Sequence, residues 1–404
     1  MESKALSHDA GLVIPGFVFI LAALTALAPL ATDAYLPAIP TIARELGRTV
    51  PDVELSISFF LVGFSIGQLI GGPFSDHFGR RTGIFCGLSL FILGSLAITF
   101  TPSIEWLWVF RVVQALGGGI TVVNTPAIVR DLYSGRESAQ TMSRMAMILM
   151  LAPLLAPVLG SLILQTLSWQ MIFSLLLLYG CILAAVIHRT LPETRQVQVN
   201  KPNAFRRYWM VMRDRHALGY LFSACFGYGS LFAFITGSPS VYMGYFGLSE
   251  SSYPLAFGAN VIALVLLNKV NIRLLSSHAP RTLLLAGQLI QILTGALLFG
   301  YACLGGDLKL ALFIPLVMLF FGCHGLVSAN SMAGMTDLFP TNSATATALM
   351  GACGFAFGAL SGSLVGLLYD ETPLPMTLVM FACALLAPTI RLLLQMGPQP
   401  QVAR

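Results

Sequence analysis

The sequence predicts an all-α membrane protein, with twelve transmembrane helices arranged as two pseudo-symmetric six-helix bundles. Three observations carry this expectation. The 404 residues are 56% hydrophobic and only 10% charged, with mean hydropathy +0.81, whereas soluble chains carry about 25% charged residues. Twelve apolar runs, close to the ~20 helical residues that a hydrocarbon layer requires, are separated by short polar turns. The first half of the chain is echoed in the second.

The runs fall at 12–38, 54–72, 82–101, 106–128, 140–164, 169–190, 218–240, 252–270, 282–304, 309–333, 343–368 and 374–395. The first mimics a signal peptide, since Ala26-Leu27-Ala28 looks like a cleavage site. Its head (Glu2, Lys4, His8, Asp9) is not basic and Pro29 would follow the cut, so it reads as an uncleaved span. An even number of spans puts both termini on one side. That side then collects nearly all the basic residues, from Lys4, Arg80 and Arg81 through Arg130 and Arg281 to Arg391 and Arg404. The other side holds only Arg44, Arg48 and Lys309, and Arg111 alone is left inside a span. Short cytoplasmic loops accumulate Lys and Arg, which places both termini in the cytoplasm.

The longest polar stretch, Thr190–Ala217, lies midway and carries a cluster of basic residues. It divides the chain into bundles 1–195 and 215–404, joined by a cytoplasmic linker over 196–214. Phe205, Tyr208, Trp209 and Met210 among its arginines predict an amphipathic helix on the inner membrane surface. Internal repetition supports the division. Asn124-Thr-Pro-Ala-Ile-Val-Arg-Asp131 lines up with Asn330-Ser-Met-Ala-Gly-Met-Thr-Asp337, setting the fourth span on the tenth.

Between the second and third spans stands Gly72-Pro-Phe-Ser-Asp76-His-Phe-Gly79-Arg80-Arg81. It reads as a tight hairpin at the arginine-bearing face. Gly72 allows close helix approach and Gly79 a left-handed turn. Asp76, near a helix end, can accept from a helix N-terminus or pair with an arginine. Charges inside spans are costly and default to function. Asp33 in span 1 and Arg111 in span 4 fall at similar depth, and pair directly or through water. Either proton and cargo compete for that carboxylate, or the pair is static and pins two helices. In span 5, Pro153 and Pro157 each remove a helix hydrogen bond, while Gly160 and its small neighbours allow close packing. Polar groups at Gln68, Gln114, Asn124, Asn260, His324 and Asn330 must face a cavity or another helix. Tyr35 and Tyr228 join them as cavity candidates. The repeat-related Asn124 and Asn330 serve equally as glue between helices.

No phosphate-cradling loop, H-E-x-x-H helix or nucleophile elbow is present, which argues against an enzyme. Seven scattered cysteines without C-x-x-C form neither a zinc site nor a disulfide framework, and no cofactor or metal is implied. The basic residues track loops, which removes nucleic acid as a partner. Without an ATP-binding module, energy comes from a gradient worth ~2.3 kcal/mol per charge per 100 mV.

The stretch Gly72–Arg81 resembles the signature loop of the major facilitator superfamily, in which it helps to hold the inward-closed state. Arg111-Val-Val-Gln114-Ala-Leu-Gly117 resembles that superfamily's span-4 motif, whose arginine is implicated in proton coupling. Ala152-Pro153-Leu-Leu-Ala156-Pro157-Val-Leu-Gly160-Ser161 resembles its antiporter motif, with alanines and a serine in place of three glycines. Thr32-Asp33-Ala-Tyr35-Leu-Pro-Ala-Ile-Pro40 is similar to the bicyclomycin and chloramphenicol resistance branch (Bcr/CflA type) of drug:proton antiporters. The resemblance implies a monomeric, proton-coupled exporter of drug-like small molecules in a bacterial inner membrane, with Asp33 and Arg111 at the proton site. Partners are then protons, a small-molecule substrate and the lipid bilayer. A metabolite or siderophore exporter with the same machinery is the alternative.

Overall fold

The computed structural model describes residues 16–133, 135–195, 204–306, 308–339 and 343–396. Expectations for Lys4, Lys201 and Arg404, for the start of the first run and for the first part of the linker lie outside the described residues. Among these residues, eleven helices are long and apolar enough to cross a membrane, and one bent pair brings the number to twelve.

That bent pair is span 1. It is built from α1 (Phe17–Thr25), α2 (Leu27–Asp33), a 3-10 turn (Leu36–Ala38) and α3 (Ile39–Leu46), with a 41° bend after Thr25. The apolar run ending at 38 therefore underestimates the helical path, which continues through Pro40 to a left-handed stop at Gly47. The second to fourth spans are α4 (Val50–Phe78), α5 (Arg80–Thr99) and α6 (Ile104–Leu132). Thr49 opens α4 through a capping box. Its hydroxyl accepts from the Asp52 N–H, and the Asp52 carboxylate accepts from the Thr49 N–H at 3.0 Å. At 29 residues, α4 is about 44 Å long and overshoots a hydrocarbon core of ~30 Å. The overshoot corrects the expected hairpin. Gly72–Phe78 is the last two turns of α4, Arg80 begins α5, and Gly79 alone makes the turn with φ 104°.

Span 5 breaks into α7 (Gly135–Leu149) and α8 (Ala152–Thr166), followed by α9 (Gln170–Thr190). The break precedes Pro153, which stands in the first turn of α8, where its missing N–H has no helical partner to lose. Only Pro157 removes an interior bond. The end of the linker is helical, as α10 (Ala204–Arg213), with Trp209, Met210 and Met212 exposed. Asp214 then caps α11 (Arg215–Pro239) by accepting from the His216 and Ala217 N–H groups. A wider turn, Ser240–Tyr245, extends α11, and α12 (Tyr253–Leu274), α13 (Pro280–Cys303), α14 (Leu310–Leu338), α15 (Ser343–Leu367) and α16 (Leu374–Gln395) complete the second bundle.

Small residues set the packing, as in membrane helices generally. Gly63, Gly67 and Gly71, one turn apart on α4, lie against the α6 backbone, and a Cβ on any of them would collide with it. Gly117 and Gly87 do the same between α6 and α5. Gly72 does not: nothing lies within 4 Å of a Cβ there, which corrects its expected role in helix approach. The two bundles meet where α4 runs along α15 and α8 along α12. Ile66, Leu93, Leu162, Leu178 and Leu293 are exposed on the outer surface, where lipid takes the place of water. Arg391 corrects a second expectation. It is not a loop residue but is buried in α16, donating from Nε and Nη2 to Gln288 Oε1 at 3.2 and 2.9 Å.

Gly67→Val forces side-chain atoms into the α6 backbone and is expected to cost about 1–3 kcal/mol. Its thermal midpoint in detergent falls by several degrees, while Gly72→Ala leaves the midpoint unchanged.

Candidate functional site

Between the bundles lies a cavity of about 560 Å³. It runs from Gln68, Tyr228 and Phe355 near mid-depth to Asp76, Arg80, Arg130, Asp131 and Arg207 at the arginine-rich end. Met142, Met145, Leu149 and Met332 give it adaptable apolar walls. Its inner end is an aromatic cluster, with the Tyr228 ring 5.3 Å from Phe355 and 5.6 Å from His324. Phe64 closes on Phe355 from the other bundle at 4.6 Å. Gln68 Oε1 is buried there without a hydrogen-bond partner.

Of the predicted cavity residues, Gln68 and Tyr228 line this space, together with Gly72, Asp76 and Arg80 of the signature stretch. The others do not line it. Asn124 Nδ2 donates to the Ile120 carbonyl, and Asn330 Nδ2 to Asn271 Oδ1 and the Leu326 carbonyl. Asn260 Nδ2 donates to the Ala256 carbonyl, and Gln114 Nε2 to Ser95 Oγ. His324 packs edge-on against Tyr228 outside the lining. Tyr35 hydrogen-bonds Ser56 at 2.9 Å, also away from the cavity.

At the arginine-rich end the signature residues form a charge network. Arg80 reaches Asp76 at 2.7 Å and Asp131 at 3.0 Å. Arg207 of α10 reaches Asp76 at 3.3 Å and Thr345 of α15 at 3.4 Å, so the linker helix touches both bundles. The Glu193 carboxylate accepts from the backbone N–H groups of Arg80 and Arg81 at 2.8 and 3.2 Å, capping α5 where its dipole is positive. It also fills the space beside Gly79 that a side chain would need. Glu193 and Arg207 were not singled out in the sequence, where both belong to the long polar stretch Thr190–Ala217. Asp131 carried a visible signal, being repeated as Asp337.

The break in span 1 gathers a second set. Asp33, at the end of α2, is 3% exposed and accepts from Thr32 Oγ1 at 2.8 Å. Arg111 is fully buried nearby and makes no ion pair with Asp33 among the described residues, which corrects the direct form of the expected pairing. Its Nη1 donates to the Ala31 carbonyl and to Gln114 Oε1, and its guanidinium lies over the rings of Phe60 at 4.3 Å and Tyr35 at 4.6 Å. Gly160 presses on the Ala34 carbonyl so closely that no side chain fits. Thus the small residues of α8 face the broken turn that carries Asp33.

The opposite end is shut by contacts between the bundles. Glu54 of α4, 1% exposed, accepts from Ser240 N–H at 3.0 Å and Ser240 Oγ at 2.6 Å. Thr41 donates to Glu250 at 2.6 Å. Glu54 was missed because it begins an apolar run and reads as the polar edge of a loop.

Arg111→Lys removes the stacking and one or both hydrogen bonds, because a lysine ammonium cannot reproduce the planar fork. The expected loss is about 1–3 kcal/mol, read as a lower thermal midpoint in detergent.

Comparison with known proteins bears on the same features. A bicyclomycin resistance protein homolog of Haemophilus influenzae is 33% identical over 378 residues, covering 92% of this chain and 94% of that protein. A chloramphenicol resistance protein of Pseudomonas aeruginosa is 33% identical over 66% of this chain and 63% of its own length. Multidrug resistance protein D of Escherichia coli is 27% identical over 83% of this chain and 84% of its own length. Among solved structures, a D-xylose–proton symporter shares the fold with a TM-score of 0.71 at 13% identity, over 96% of this chain and 98% of that one. A bacterial homolog of the human lysosomal transporter Spinster follows at 0.69 and 14%, over 93% and 96%. The Major Facilitator Superfamily profile matches residues 21–363. With two helical bundles, a cavity between them and the charge network of Asp76, Arg80 and Asp131 at its mouth, this chain belongs to the Major Facilitator Superfamily.

Proposed function

We propose that the chain exports drug-like small molecules in exchange for protons. The observation that carries this reading is the cavity, which reaches the arginine-rich end while contacts between the bundles close the other. By the positive-inside rule that end is cytoplasmic, so cargo enters from the cell interior. The Met-rich walls and aromatic inner end suit varied apolar cargo, and the resistance proteins of similar sequence support export as the direction. The working unit is a monomer in the inner membrane with cytoplasmic termini. Bundles 1–195 and 215–404 rock about the cavity, with 196–214 joining them.

Asp33 is the proton carrier in this reading. It stands where α2 gives way to the 3-10 turn, so that a small rotation of α2 against α3 exposes or hides its carboxyl, and among the described residues a neighbouring threonine is its hydrogen-bond donor. Arg111 does not neutralise Asp33. It pins Ala31 and Tyr35 on either side, so that it positions the turn after α2. Gly160 lets α8 press on the same turn at Ala34.

Proteoliposomes loaded with chloramphenicol test this. An imposed inward proton gradient should drive drug out and protons in for the wild type. Asp33→Asn should still bind drug but lose at least about tenfold in coupled exchange. Normal coupling in Asp33→Asn would move the proton site elsewhere. A wild type that moves none of a drug panel would turn the assignment of cargo toward an endogenous metabolite.

A further inference from the structure

Glu54 has appeared so far only as a contact that shuts the outer end. It lies neither in the cavity nor at the turn that carries Asp33, yet it is a carboxyl group 1% exposed inside a membrane-spanning helix. Its hydrogen bonds come from one residue, Ser240, on the other bundle. Among the described residues no Lys, Arg or His pairs with it.

The groups around it make the point stronger. Within electrostatic range of Glu54 are Tyr35, just before the 3-10 turn of span 1, Tyr253 of α12 and, beyond the end of α15, Tyr369. Asp33 is within the same range of Tyr253. Past Tyr369 lie Asp370 and Glu371, both exposed to solvent. On α6, the Arg111 guanidinium turns to Ala31, Gln114, Tyr35 and Phe60. On α3, Arg44 donates to Thr41 at 3.1 Å, beside the Thr41–Glu250 contact of the same outer end, and does not pair with Glu54. The charges nearest Glu54 are thus negative or hydrogen-bonded to other groups.

Burying an unpaired charge is far costlier than burying a neutral acid held by hydrogen bonds. The bond to Ser240 exists only while this end is shut, because donor and acceptor belong to different bundles. We propose that Glu54 is a proton-binding site of the outer seam, which closes when Glu54 takes a proton from the external solution and parts when Glu54 loses it. The inference rests on the transporter reading for the rocking of the bundles, but not on Asp33 or on the nature of the cargo. The sign follows directly. The closed seam holds the proton more tightly than the open one, so closure is favoured at low external pH and is lost as pH rises. For a protein that exports cargo outward, an acidic exterior then resets the carrier promptly after release.

The test reads the seam itself. Ser58, one turn below Glu54 and 3% exposed, sits among Gly362 and Thr236 of the other bundle. A Ser58→Cys variant in proteoliposomes, at fixed internal pH, is exposed to a membrane-impermeant maleimide from outside. Labelling is quantified by peptide mass spectrometry and normalised to exposed Cys303, which corrects for thiol ionisation. Labelling should rise with external pH between about 6 and 8, by up to about tenfold per unit, the limit for one proton. Adding Glu54→Gln, which keeps the acceptor for Ser240, should give low labelling that ignores pH. Ser240→Ala should raise labelling at every pH and keep the slope. A Glu54→Gln response parallel to that of its parent, or a parent with no response, overturns the proposal. Loss of drug–proton exchange with the labelling pattern intact would instead count against the export reading alone.

Discussion

Lipid offers neither hydrogen bonds nor counter-charges, and the rest of the structure follows from that constraint. Each polar or charged group within the spans must be answered by the protein itself. Arg391 is answered by Gln288, and Arg111 by a carbonyl, an amide and two ring faces. The asparagines return their amide protons to carbonyls one turn back. The answers are not all complete: Gln68 Oε1 in the cavity and Nε and Nη2 of Arg111 have no partner. Asp33 after α2 and Glu54 at the seam are held by neutral donors and by no counter-charge. Solvent, cargo or protons can complete the acceptors among them.

The fold was legible because hydropathy is a long-range signal, averaged over some twenty residues for each span. The loop charges and the Asn124/Asn330 repeat then supplied the expected orientation and symmetry. Helix ends were less legible, for a local reason. Gly72–Arg81 is polar and glycine-rich, so it reads as a loop, yet the capping and rigidity of α4 carry the helix through it to a single-residue turn at Gly79. Pro153 likewise looked like a kink, but a proline in the first turn of a helix interrupts nothing.

The site was legible as a list of residues, not as an arrangement. Asp33 and Arg111 were visible as charges in apolar runs, and their equal depth suggested a pair. Depth says nothing about azimuth, however, and Arg111 turns to the aromatic rings. Glu54, Glu193 and Arg207 were hidden by position. Each lies where a charge is unremarkable in sequence, and only the return of a distant segment (Ser240, the Gly79 turn, the end of α4) gives it a partner.

The length of α4 has a mechanical consequence. Glu54 and Asp76 sit on one uninterrupted helix, about 33 Å apart at 1.5 Å per residue. The glycine ladder against α6 prevents that helix from sliding on its neighbour. It is therefore a stiff lever whose two ends belong to opposite faces of the membrane. Tilting it away from α15 at one end brings it nearer at the other, so the two faces cannot gape together. A leak-proof barrier then needs no sensor to communicate across the bilayer, because a single rigid body imposes it.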